Sequence, residues 1–289
     1  TVTVVGTTPL LDPRRTAVST VIGQQQIDSL PTNGRDFMAF SVLTPGVNTD
    51  RTPYQGAVAA SGLTFAGQRP RANNISVDGL DNNDISVGAV RATFSQEAVQ
   101  EFQVVTNSFS AEFGKASGGV VNIVTKSGGN TLSGNVFGFF RDDALNAKEH
   151  FEKFEPDGTP IDQPKAPYSR SQFGATLGGP IRRDRSFFFL SAERLRSQPN
   201  NIVKIDDTNP IIAFGTNYGT LVDVLRRANF PVENGPLPYH VNADQLLAKV
   251  DTVGTMHRLV LRFNWAGALN ENVERWGGQV ARSRGASLD

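Results

Sequence analysis

Arg258-Leu259-Val260-Leu261-Arg262-Phe263-Asn264-Trp265 is the stretch that decides how this chain folds. In an extended chain Leu259, Leu261, Phe263 and Trp265 fall on one side and Arg258, Val260, Arg262 and Asn264 on the other. That is the two-residue period of a strand with one apolar and one mainly polar face. The period recurs in Gln172 to Gly179, where Phe173, Ala175 and Leu177 oppose Gln172, Gly174, Thr176 and Gly178. It recurs again in Leu246 to Asp251, where Leu246, Ala248 and Val250 oppose Leu247, Lys249 and Asp251. Leu132 to Arg141 and Ser186 to Arg196 are less regular, because Phe137, Phe139 and Phe140, and Phe187, Phe188 and Phe189, occupy both faces.

The connections carry the next signal. Arg141 to Ser169 is long and polar, Ile181 to Arg185 is a tight turn, Gln198 to Val241 is long, and Thr252 to His257 is tight. Strands whose connections alternate long and short make a sheet with one elaborate end and one plain end. Outer-membrane β-barrels sort their loops this way, with long loops outside the cell and short turns in the periplasm. A half-buried soluble strand alternates too, so the sorted loops, rather than any one strand, favour lipid against Leu259, Leu261, Phe263 and Trp265.

Composition bounds the function. In 289 residues Lys+Arg and Asp+Glu are both 28, which gives no footprint for nucleic-acid binding. With no cysteine there are no disulfides, no thiolate catalysis and no Cys-ligated metals. No apolar run reaches the length of a membrane helix, and a mean hydropathy of −0.27 remains compatible with membrane strands, in which only every second residue is apolar. The chain opens at Thr1 without an initiator Met or a signal peptide, and reads as a piece of a longer precursor.

The first half reads differently. Ala17 to Ile22, Gly62 to Gly67, Asn74 to Val77, Phe102 to Thr106 and Val120 to Thr125 are strand candidates. Gln24 to Leu30 and Gly34 to Leu43 are short helices, and Thr44-Pro45-Gly46 ends the second. Asp78-Gly79 is a tight-turn dipeptide, Ser95 is a candidate N-cap for a helix through Gln100, and Ser110 to Lys115 is a helical turn. Short alternating strands and helices predict a compact α+β domain over 17–127. A linker (1–16) precedes it, and the strands of an incomplete barrel follow over 128–289, about five in number.

Three stretches carry a resemblance. Leu30-Pro31-Thr32-Asn33-Gly34-Arg35-Asp36 with Leu43-Thr44-Pro45-Gly46 resembles the early plug of TonB-dependent outer-membrane receptors, and Arg71-Ala72-Asn73-Asn74-Ile75-Ser76-Val77-Asp78-Gly79 resembles their central plug hairpin. The longest match runs from Glu97-Ala98-Val99-Gln100-Glu101-Phe102, through Ala111-Glu112-Phe113-Gly114, to Gly118-Gly119-Val120-Val121-Asn122-Ile123-Val124-Thr125-Lys126-Ser127-Gly128. With Gln172-Phe173-Gly174 and Gly178-Gly179-Pro180-Ile181 before Phe187-Phe188-Phe189, it is similar to the Oar-like branch, whose members often carry a carboxypeptidase-regulatory-like domain ahead of the plug.

The resemblance implies an α+β plug domain followed by antiparallel β strands of an incomplete outer-membrane β-barrel. It also implies a TonB-type energy-transducing protein in the periplasm, outer-membrane lipid and an extracellular ligand as partners. Thr1, Val2, Thr3, Val4 and Val5 resemble either the energy-coupling box, which would add a strand to its partner, or an interdomain strand. Asp81, Asn82, Asn83 and Asp84, with Asp50 to Gly62, are the candidate ligand contacts at the plug apex, since recognition concentrates on polar loops held by a rigid scaffold.

Catalytic chemistry has little support. His150, His240 and His257 are far apart in the chain, and no H-E-x-x-H or G-x-S-x-G motif occurs. The cluster Asp78, Asp81, Asn82, Asn83 and Asp84 has carboxylates and amides but not the spacing or glycine of a calcium loop. Arg182, Arg183 and Arg185 around Asp184 read as a charged turn at a membrane edge rather than a phosphate site. No cofactor, metal or bond-making step is expected. Two other readings stay open: a surface-binding or adhesion protein on a barrel scaffold, and a secreted β-sandwich that binds carbohydrate.

Overall fold

A computed structural model describes residues 18–30, 35, 37–49, 62–84, 89–109, 113–148, 150–154, 158–161, 165–203, 205, 207–230, 232, 235–254, 256–271 and 286–288. Thr1 to Val5 and most of Asp50 to Gly62 lie outside them, as do 110–112 of the expected helical turn. The contacts divide the chain into two compact units. Among the described residues, the first runs from Val18 to Lys126 without Ala92–Ala98, which belong with the second unit, Ser127 onward.

In chain order the strands of the first unit are β1 (Val18–Gly23), β2 (Val47–Thr49), β3 (Leu63–Phe65), β4 (Asn74–Val77), β5 (Leu80–Asp81), β6 (Asn83–Asp84), β7 (Ala89–Val90), β8 (Val99–Asn107) and β9 (Val120–Thr125). Five of them form one sheet in the order β1-β8-β9-β4-β5, with β4 parallel to β9 and the other pairs antiparallel. Register puts Ile22, Phe102, Ile123 and Val77 in one row and Val104, Val121 and Ile75 in the next, and all seven are buried. The opposite face carries a polar row in which Ser76 Oγ donates to Asn122 Oδ1 at 2.6 Å and Asn122 Nδ2 to Gln103 Oε1 at 3.2 Å. The α-helix α1 (Gln24–Ser29) falls where expected.

Two helix expectations change. Phe37–Leu43 is a 3-10 helix, closed by Thr44 N donating to Ser41 O at 3.0 Å, three residues back. Seven residues cut off by a Pro-Gly pair do not offset the cost of nucleating α-helix. Ser95 does accept from Glu97 N at 3.3 Å, but Gln96–Ala98 make one 3-10 turn and the chain is extended from Val99. There β8 is paired on both sides, and two ladders outweigh the helical preference of Glu-Ala-Val-Gln.

Gly119 marks the tightest packing in this unit, because a Cβ there would overlap the buried Phe65 ring. Gly119→Ala should destabilise the protein by about 1–3 kcal/mol, the usual cost of overpacking a core. Chemical denaturation checks this, and a change within about 0.5 kcal/mol would mean that the ring yields freely.

The second unit is built on strands two residues in period. They are β10 (Ser133–Asp142), β11 (Ser169–Arg182), β12 (Ser186–Gln198), β13 (Asn200–Val203), β14 (Pro210–Ala213), β15 (Thr216–Thr220), β16 (Gly235–Pro238), β17 (His240–Val253), β18 (Arg258–Glu271) and β19 (Ala286–Leu288). The main sheet is antiparallel and six-stranded, in the order β10-β11-β12-β17-β18-β19. Five of its strands have 10 to 14 residues, and the sixth is a short addition to the expected five.

The β11–β12 and β17–β18 connections are tight turns, with Asp184 at φ 61° in the first and Gly254 N donating to His257 O at 2.7 Å in the second. The long connections are structured rather than plain loop. One carries α2 (His150–Lys153), and the other carries the pairs β13–β16 and β14–β15 with α3 (Leu221–Arg227). Thr220 caps α3 through a reciprocal box with Asp223, whose carboxyl is held below its ordinary range by the Thr220 backbone N–H and hydroxyl. The chain enters β10 beside the first tight turn, where Asn130 Nδ2 donates to Asp184 Oδ1 at 2.6 Å and Asp184 N to Asn130 Oδ1 at 2.8 Å.

Candidate functional site

The hairpin in the first unit turns at Asp78-Gly79, where φ of 49° and 81° form the mirror-image turn that suits right-twisted strands. The Asp78 carboxylate accepts from Thr125 N at 2.8 Å and Thr125 Oγ1 at 2.6 Å, which ties the turn to the end of β9. Beyond it, Asp81 Oδ1 accepts from Asn83 N at 2.9 Å and Asn83 Nδ2 at 2.6 Å, and Lys115 Nζ lies 3.0 Å from Asp81 Oδ2. Asn83 Oδ1 accepts from Ile75 N at 2.9 Å. Asn82 is buried, its N–H on Ile75 O and its carbonyl on Arg91 N. Of the four candidate residues, then, Asn82 and Asn83 brace the hairpin, Asp81 presents a half-exposed carboxylate, and Asp84 begins the next pairing with β7. Asn74, Ser76, Asp78, Asp81, Asn122 and Phe113 line a cavity of about 520 Å³ on the polar face of this sheet.

The Asn83 backbone N–H, then Lys115 and the Asn83 amide, hold the Asp81 carboxyl down at about 2, against an ordinary 3.8. A carboxyl depressed on folding adds stability above its unfolded pKa and loses it as the pH falls through the folded value. Asp81→Asn should therefore lower stability by a small constant amount above pH 3.8, a difference that vanishes toward about pH 2. Melting curves across that range check this; an unchanged difference at the acid end would place the effect outside the carboxylate.

The sheet of the second unit has two unlike faces. Direct partners share a face, so Leu261 with Val250, Phe263 with Ala248 and Trp265 with Leu246 form an apolar surface that continues through Leu190 and Leu177 to Val136. These side chains, apart from the smaller Ala248 and half-buried Val250, are exposed, Leu261 by 59%. The opposite face carries Thr176, Ser191, Glu193, Leu247, Lys249 and Asp251, all buried. Phe137 joins it because its ring lies over Gly174, where a Cβ would stand 2.6 Å from the ring. Phe140 instead takes the exposed face, 74% accessible.

Ala92–Ala98 lie along the polar face. Ser95 Oγ donates to Glu193 Oε2 at 2.5 Å, and Gln172 Nε2 donates to Glu193 Oε1 at 2.6 Å. Gln245 Nε2 reaches Thr93 Oγ1 at 3.2 Å, Asn264 Nδ2 reaches Thr93 O at 3.4 Å, and Asn135 Nδ2 reaches Glu97 Oε2 at 3.2 Å. The sequence alone did not single out this seam. Its residues are scattered from 93 to 264 and only strand register brings them together.

The histidines do not meet. His150 lies on α2 against Phe154, His240 opens β17, and His257 lies in the tight turn just before β18. Among the described residues no group of three or more His, Cys, Asp or Glu is placed to hold a metal ion. No described helix is long and apolar enough to cross a membrane, which says nothing of strands.

An antiparallel sheet with one exposed apolar face, one polar face and sorted loops has the features of an outer-membrane barrel wall. Comparison with known proteins agrees: a family model for an outer membrane beta barrel domain matches residues 124–216. The TonB-dependent transporter Oar of Myxococcus xanthus is 28% identical over 237 residues, covering 78% of this chain and 21% of that protein. The chain thus spans about a fifth of the length of that relative.

Among solved structures, the outer membrane transporter YddB of Escherichia coli has a TM-score of 0.60 at 13% identity, covering 88% of this chain and 33% of its own. The ferric enterobactin receptor PfeA of Pseudomonas aeruginosa scores 0.57 at 15% identity, with the same coverages. The siderophore receptor PirA of Acinetobacter baumannii scores 0.55 at 18% identity, with 88% and 32% covered. The chain is a homologue of the TonB-dependent transporter Oar, and its place is the Gram-negative outer membrane.

Proposed function

We propose that this chain is part of an energy-coupled receptor that takes a ligand across the outer membrane, with the first unit as its plug and the main sheet as the first stretch of its barrel wall. The observation that carries this reading is the entry into β10. A separate α+β unit feeds the wall from its short-turn end, so every long connection lies at the other end. Ligand would meet the long connections and the plug residues Asp81, Asn82, Asn83 and Asp84. A periplasmic TonB-type protein would pull on the segment Thr1 to Val5. The chain's part is binding and movement, and no bond in the ligand is made or broken. Leu259, Leu261, Phe263 and Trp265 would face lipid.

Energy dependence tests this. Cells carrying the full-length protein should accumulate a surface-bound ligand only while the proton-motive force stands, and lose accumulation by at least tenfold when it is dissipated. Binding that persists with no energised accumulation at any time would make the protein a surface adhesin instead.

A further inference from the structure

Toward its long-connection end, the exposed apolar face of the main sheet gives way to charged and amide side chains. Phe140, Ser171, Arg196 and Asn242 stand in one register row across β10, β11, β12 and β17, and they line a cavity of about 300 Å³. Arg141 and Arg170 add two more guanidiniums to its lining, against the carboxylate of Asp142, which accepts from Ala144 N at 3.0 Å. One row nearer the apolar surface, Asp244 Oδ1 accepts from Arg194 Nε at 2.7 Å, and its Oδ2 from Arg196 Nη2 at 3.2 Å. Arg196 Nη1 donates to Leu195 O at 2.8 Å and Ala243 O at 3.4 Å. At the rim His240 Nδ1 lies 3.9 Å from Glu271 Oε2. The cavity and the row beside it thus hold four guanidiniums, of Arg141, Arg170, Arg194 and Arg196, against the two carboxylates of Asp142 and Asp244.

We propose that this cavity binds the phosphate of an outer-leaflet lipid headgroup, with Arg196 as its main contact and Arg194 as the second. The proposal rests on the reading above, in which the face of Leu261 meets lipid and the long connections lie outside the cell. Height supports it. Asp244 lies six residues beyond Val250, the partner of Leu261, along β17. Six residues cover about 20 Å of strand. In a strand tilted by about 40° that is a rise of about 15 Å, more than half of an apolar band about 25 Å tall. Trp265 and Phe173, both exposed, stand one row below Asp244 and in its row, as aromatic side chains do at a membrane boundary. The guanidiniums therefore fall at headgroup level. Arg196 is held in place by Asp244 and two backbone carbonyls, so its planar fork is set before any phosphate arrives. Arg194, 52% exposed along its side chain, adds a second charge. A free anion would gain only these contacts. A lipid phosphate also brings acyl chains, which can lie along Ala192, Leu246 and Trp265 on the same face.

Full-length protein in phosphatidylcholine vesicles that contain diphosphoryl lipid A tests this, with native mass spectrometry counting the lipid that stays bound after extraction in mild detergent. Native protein should retain lipid A. Arg194→Gln with Arg196→Gln should lower its retention about thirtyfold, the worth of two guanidiniums beside anionic lipid. Asp244→Asn separates charge from structure. It breaks the same ion pairs but makes the site more positive, so retention should hold or rise; a loss equal to that of the arginine variant would overturn the proposal. Lipid A stripped of its phosphates should be retained no better than phosphatidylcholine, and equal retention of the two forms would also overturn it. So would displacement of lipid A by inorganic phosphate, which would make the site one for a free anion. The underlying reading fails separately: Leu261→Arg would then cost no stability, whereas full retention by the arginine variant with that cost intact removes only the headgroup site.

Discussion

Removing Thr1 to Val5 from the full-length protein should abolish ligand uptake and leave binding at the cell surface within about twofold of native. An energised partner in the periplasm can act only through chain that reaches it. A short β-prone run such as Thr-Val-Thr-Val-Val suits capture by strand addition, in which main-chain hydrogen bonds carry the affinity. On the proposed function, ligand would contact the long connections, at the end of the main sheet opposite the chain's entry into β10. The two functions are therefore separable by deletion. Protease added to intact cells extends the test: the segments between β10 and β11 and between β12 and β17 should be cut, and Arg182 to Arg185 spared. Normal uptake by the shortened protein would make Thr1 to Val5 a mere interdomain strand. Cleavage at Arg182 to Arg185 in intact cells would invert the topology.

Leu261→Arg in the full-length protein should cost about 2–4 kcal/mol of folding stability, the penalty for a guanidinium on the lipid face near mid-membrane. The contrast with a water-facing sheet is large. Leu261 is 59% exposed, and on a solvated surface such a change stays within about 0.5 kcal/mol. Val250 and Phe189 lie on neighbouring strands near the same level, but only Val250 shares the face of Leu261; Phe189 is buried on the other. Stability measured by reversible unfolding into lipid vesicles decides between the two surfaces. A cost near zero would mean that Leu259, Leu261, Phe263 and Trp265 face water or a protein partner.

Several elements were legible in the residues. Asp78-Gly79 announced its own turn, because a positive φ at two successive positions favours that dipeptide; that the carboxylate is taken up by Thr125 was not legible. The long strands announced themselves because a sheet with unlike faces forces a two-residue period. Phe137 and Phe140 were not assignable, since an aromatic side chain is at home on either face. The neighbours decided: Gly174 makes room for Phe137 across the pair, and Phe140 stands opposite Ser171 on the exposed side.

The candidate ligand residues show the same division. Asp81, Asn82, Asn83 and Asp84 read as one polar group, whereas the fold spends Asn83 on Ile75 and Asp81 and buries Asn82 between paired carbonyls and amides. Polarity is written in the sequence, but whether a polar atom is already satisfied depends on what folding brings beside it.

By itself the sequence determined the local geometry: where strands run, which of their faces is apolar, where the chain turns, and the order of long and short connections. Each depends on residues a few positions apart, so period and turn chemistry suffice. Only the tertiary structure decided that Ser95 meets Glu193, that Gln172 braces it, and that Ala92–Ala98 belong with the second unit. Those contacts join residues up to 171 positions apart, and they exist because register across five strands aligns one side chain from each. A shift of one residue in any pairing would turn the whole row to the opposite face.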